Sequence, residues 1–129
     1  MRRVAVLGDV HGNSVALAAV LGDLRQEEVD LVVWTGDISW GWEPEATLEL
    51  VRSFEVSARY VRGNAERALL ELRDGQVETP TEREGWMAAH HTEADLAFVE
   101  TFEIGLSIDI DGLERRTSAT VLRGVTRSC

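Results

Sequence analysis

The sequence holds one cysteine, no lysine and no long apolar run, and each shortage excludes something. The single cysteine is Cys129, the last residue, so no disulfide can close within the chain and no cysteine-based zinc site can be assembled. Such usage fits a reducing compartment. No apolar stretch approaches the roughly 20 residues that span a bilayer. Met1-Arg2-Arg3-Val4 runs directly into strand-like sequence instead of a signal peptide, so a cytoplasmic protein without a membrane segment is expected. All 13 basic residues are arginine, a bias that reflects coding composition and carries no mechanism. Positive charge is also scarce: 13 basic against 23 acidic residues give a net charge of −10. Phosphate backbones are held by clustered positive charge, so no nucleic-acid-binding surface is expected, and a phosphate bound here calls for a metal.

What remains is a chain of 129 residues, 44% apolar, suited to one modest domain. Val4 to Leu7 is a short apolar strand ending at Gly8, and Ser14 to Glu27 repeats apolar residues at helical spacing. Leu31 to Trp34 is a second strand, followed by a helix over Glu45 to Phe54 behind Pro44. Ala58 to Val61 is a third, with helix-forming residues from Ala65 to Arg73. Three βα units in succession predict an α/β fold with a mostly parallel sheet flanked by helices. Asp74 to Gly85 reads as a surface loop, Thr92 opens a capped helix reaching about Phe102, and Ile104 to Ile110 alternates as a strand.

Polar residues gather just beyond the strands: Asp9 and His11, then Asp37, then Asn64. Open α/β sheets place their sites at these strand ends. If the strands are neighbours, two carboxylates, an imidazole and an amide oxygen converge, a donor set suited to manganese, iron or zinc. Alone, Asp9 or Asp37 reads equally as a strand terminator or helix cap. Three such motifs in register favour ligation.

The blocks GDVHGN, TGD and RGNAE, in this order and separation, resemble the first three signatures of calcineurin-like metallophosphoesterases, over roughly residues 3 to 113. The resemblance implies the N-terminal half of the metallophosphoesterase α/β sandwich and two divalent metal ions (Mn, Fe, Zn or Ni). It assigns Asp9 and His11 to the first metal, Asp37 as the bridge and Asn64 to the second, with Asp37 and Asn64 as the catalytic positions. The implied reaction is hydrolysis of a phosphate mono- or diester by metal-bound hydroxide. The family's protein phosphatases follow this asparagine with histidine, whereas Ala65 and Glu66 stand here, which resembles the small bacterial phosphodiesterase branch.

Several residues carry two readings. Asn13 can contact the substrate phosphate or cap the Ser14 helix, and Arg62 can steady a phosphate or lie on the surface. His90 and His91 read as a solvated pair more readily than as ligands. Trp40-Gly41-Trp42 can wall a substrate cleft or cover the sheet end. A haloacid-dehalogenase-like phosphatase would want an Asp-x-Asp nucleophile, for which Asp109-Ile110-Asp111 is the nearest match.

The balance of charge changes late in the chain. All 23 acidic residues lie at or before Glu114, and the fifteen residues after it carry four arginines and no acid. The histidine-bearing blocks that follow in the family are not found there. Back-translating Thr117 to Cys129 with permitted codons and reading two bases later gives FCHGSPRSDEEL, which resembles a missing histidine block. A partial phosphoesterase domain over 1–113 and a non-native, frameshifted tail over 114–129 are therefore expected. An incomplete second metal site and impaired turnover follow, with a non-catalytic metal-binding or interaction module as the alternative. The sheet edge left at such a break favours contact with a further chain, including an oligomer partner.

Overall fold

Short runs of four residues or fewer alternate with helices through the first half of the chain, and each run becomes a strand. The computed structural model describes residues 3–110 and 117–122. β1 (Val4–Leu7), α1 (Ser14–Leu24), β2 (Leu31–Trp34), α2 (Pro44–Ser53), β3 (Ala58–Tyr60) and α3 (Asn64–Arg73) form the three expected βα units. α4 (Glu82–Ala89), α5 (Glu93–Glu100), β4 (Gly105–Ile110) and β5 (Thr117–Leu122) follow.

β1, β2 and β3 make a parallel sheet in that order. Leu7 pairs with Trp34 and Trp34 with Tyr60, so the three strands finish in one row and their following loops leave the sheet at the same edge. Beyond β3, Val61 pairs in parallel with Glu103, whose carboxylate takes two hydrogen bonds from Arg59.

Strand alternation gives the sheet two apolar faces. Val32 and Trp34 pack with Leu17 and Leu21 of α1 and with Leu48 and Val51 of α2. Leu31 and Val33 pack on the other face with Val61 and Leu106. Trp34 is fully buried and stacks on Tyr60 at 6.4 Å.

The structure departs from the sequence reading at α4 and adds a strand beyond Ile110. α4 begins inside the stretch read as loop, because Thr81 and Glu84 form a capping box: the Thr81 hydroxyl accepts the Glu84 N–H at 3.1 Å and Glu84 accepts the Thr81 N–H at 2.8 Å. The equivalent box of Thr92 and Asp95 opens α5, where it was expected. Beyond Ile110, β5 pairs antiparallel with β4, from Gly105↔Leu122 to Ile110↔Thr117. β5 lies inside the stretch expected to be a foreign tail; residues 114–116 and 123–129 of that stretch, and 111–113 before it, are outside the described residues.

Candidate metal centre

Loops from the first two strands are laced together by backbone hydrogen bonds. Asp9 N–H donates to Gly36 O at 3.2 Å, His11 N–H to Asp37 O at 2.9 Å and Gly12 N–H to Ile38 O at 2.8 Å. This lacing holds Asp9, His11 and Asp37 at φ of 55°, 49° and 54°, and they are the non-glycine residues with positive φ among the described residues. Left-handed backbone at a residue with a Cβ costs about 1–3 kcal/mol and persists where surrounding structure imposes it.

The three strained residues are also the three whose ligand atoms converge, all within 4.8 Å of one another. His11 Nε2 lies 3.7 Å from Asp9 Oδ1. Asp37 is buried, at 7% exposure, whereas the Asp9 carboxylate faces solvent. Two carboxylates and an imidazole at this separation form a donor set that fits one divalent cation.

The third loop closes on Asp37 from the far side. Ala65 N–H donates to Asp37 Oδ1 at 2.8 Å. A Cβ on Gly63 would stand 2.5 Å from the same oxygen, so only glycine allows this approach. Asn64 lies between these two residues and opens α3, which puts its backbone beside the Asp37 carboxylate.

Beneath them lies Glu66, buried to 2% exposure. Its Oε1 accepts the N–H of Asp37 at 2.8 Å and of Gly63 at 2.7 Å, and its Oε2 accepts the N–H of Ile38 at 2.9 Å. Burial pushes its carboxyl pKa up, against the three N–H groups that favour the charged form. Glu66 thus fixes the TGD and RGN loops to each other. The sequence reading noted Glu66 only as part of the departure from the protein-phosphatase histidine; its place three residues after Gly63 was the available signal for a clamp.

The remaining candidates are placed as follows. Asn13 caps α1, its Oδ1 accepting the Ala16 N–H at 3.0 Å. Arg62 donates to the Glu100 carbonyl at 2.9 Å. His90 and His91 are not a solvated pair. His91 is buried, its Nδ1 lying 2.7 Å from Met87 O and its Nε2 2.7 Å from Ser39 Oγ. A carbonyl only accepts, so Nδ1 carries the proton and Nε2 accepts from the Ser39 hydroxyl. His90 stacks on Trp86 at 4.0 Å. His91 departs from the solvated reading because the turn after α4 carries it back onto Ser39, behind Asp37, whereas His90 stays partly exposed against its own helix.

The sequence profile of calcineurin-like phosphoesterases matches residues 2–121. The chain belongs to this family. A metallophosphoesterase from Sphaerobacter thermophilus is similar at 27% identity and a TM-score of 0.61, covering 81% of this chain and 43% of its own. A hypothetical protein from Pyrococcus horikoshii OT3, 19% identical with a TM-score of 0.65, shares the fold over 84% of this chain and 50% of its own. The chain thus spans about half the length of these two structures. No curated protein matches it. Membership in the calcineurin-like family sets aside the haloacid-dehalogenase reading. Among the described residues, no helix is long and apolar enough to cross a membrane.

Proposed function

We propose that this calcineurin-like chain is a metal-dependent phosphoesterase acting on phosphate mono- or diesters, with turnover limited by an incomplete second metal site. The convergence of Asp9, His11 and Asp37 within 4.8 Å, on strained backbone at the ends of parallel strands, carries this reading. Asp9, His11 and Asp37 would hold the first cation, while Asp37 and Asn64 would face the second. Divalent ions bound there supply Lewis-acid polarisation of the phosphoryl group and a lowered water pKa.

The chain's own residues do the positioning. Ala65 N–H and the Glu66 clamp hold the Asp37 carboxylate in one orientation, so no reorganisation is needed when a ligand arrives. Asn13 engages its side-chain oxygen in capping α1, which leaves its amide nitrogen as the donor to a phosphate oxygen. Arg62, tied to the Glu100 carbonyl, is assigned the phosphate with its remaining donors.

Hydrolysis of bis(p-nitrophenyl) phosphate with and without manganese tests the reading. Weak turnover that needs manganese and disappears in Asp37→Asn supports it, and metal-independent turnover refutes it. A second reading, a non-catalytic metal-binding module, is favoured by the single carboxylate–imidazole group among the described residues. Manganese binding without any turnover would select it.

A further inference from the structure

Next to His11 lies a second feature that metal chemistry does not use. A cavity of about 530 Å³ is lined by His11, Trp40, Gly41, Trp42, Arg83, Glu84 and Met87, within the range of small-molecule sites, and the Glu84 carboxylate there is engaged by the Thr81 N–H of its capping box. Its floor is fixed by backbone contact: a Cβ on Gly41 would stand 1.8 Å from the His11 carbonyl oxygen, so the Trp40-Gly41-Trp42 turn rests directly on the metal-site loop. Its wall is fixed as well. Met87 of α4 is buried, and the Ser39–His91 hydrogen bond ties the end of α4 to the chain two residues past Asp37.

On this rigid frame stand groups with no packing reason to be exposed. Trp42 is 75% exposed and Trp86 41% exposed, their rings 6.4 Å apart and tilted by 58°. The Arg83 guanidinium lies 5.5 Å from the Trp42 ring centre, and among the described residues it pairs with no carboxylate. In a chain of net charge −10, an unpaired cation beside an open indole, on the same cavity as a metal-ligand candidate, is a constellation for a planar anionic ligand.

We propose that this cavity is the subsite for the ester group of the substrate, and that it takes a planar aromatic group, stacked on Trp42 and steered by Arg83, while the phosphate lies toward His11. The inference rests on the phosphoesterase reading above and narrows its substrates to aromatic phosphate esters. A nucleobase and a simple aryl ring share this chemistry.

Equilibrium dialysis of the full chain with manganese present distinguishes the cases, using AMP, phenyl phosphate and ribose 5-phosphate as probes. Stacking on an aromatic side chain is worth about tenfold or more in affinity, so AMP or phenyl phosphate should bind at least about tenfold tighter than ribose 5-phosphate. Trp42→Ala should bring that ratio to near one, Trp42→Phe should keep most of it, and both should bind manganese as the wild type does. Tighter binding of AMP than of phenyl phosphate assigns a nucleobase, and the reverse a simple aryl group. Equal binding of all three probes by a chain that still binds manganese overturns the subsite and leaves the metal site standing. Failure to bind manganese overturns the phosphoesterase reading, and the subsite with it.

Discussion

Glu66 Oε1 lies 2.8 Å from the backbone nitrogen of Asp37, and the two carboxyl groups are each held by backbone N–H groups of the TGD and RGN loops. Glu66 receives the N–H groups of Asp37, Ile38 and Gly63, while Asp37 receives that of Ala65. A buried carboxyl group thereby serves loop geometry.

Glu66→Ala should therefore lower stability by about 3 kcal/mol or more, since each buried N–H left without an acceptor costs about 1–3 kcal/mol. Glu66→Gln, which keeps one acceptor oxygen, should lose less. Chemical denaturation measures both, and an Ala variant within about 0.5 kcal/mol of wild type would show that the N–H groups find other partners.

Two glycine substitutions should act in opposite directions. In Gly63→Ala the new Cβ meets Asp37 at 2.5 Å, which should destabilise by about 1–3 kcal/mol and weaken metal binding. Gly22→Ala, in α1 with nothing within 4 Å of the new Cβ, should stabilise by about 0.5–1 kcal/mol. Thermal melts of the pair check this, and equal effects would contradict the close approach at Gly63.

Asp9 is strained and exposed, with φ of 55°. Glycine adopts that backbone without penalty, so metal-free Asp9→Gly should melt no lower than wild type while losing manganese affinity. A clear drop in the melting temperature without metal would mean that the left-handed backbone carries no strain.

Burial pushes the His91 imidazole below its ordinary value of 6.5, against the Met87 carbonyl and the charges of Asp95 and Glu45. The unfolded chain then takes up protons first as pH falls, so this contribution is full above about pH 6.5 and is lost toward the lower folded-state value. The stability difference between wild type and His91→Gln should accordingly shrink between about pH 7.5 and 5. A difference independent of pH would place the titration elsewhere.

Much of this was legible in the sequence because its signals are local. The βα repeats appear in runs such as Leu31 to Trp34, and the strand-end blocks place Asp9, His11 and Asp37, which the fold brings together. What escaped notice depends on contacts across long separations or on caps. Glu66 reaches back to Asp37, His91 reaches Ser39 across 52 positions, and nothing near His91 marks it as buried. α4 was hidden by its polar sequence although Thr81 and Glu84 have capping-box spacing, and β5 lies in the segment that the reversal of charge sets apart.

The central claim is that Asp9, His11 and Asp37 hold a divalent cation. Titration of manganese into the chain, followed by the EPR signal of the free ion, tests it directly. Saturable binding of one strongly held ion per chain, lost in both Asp37→Asn and Asp9→Gly, is the predicted result. No saturable binding, or binding unchanged in those variants, would contradict it.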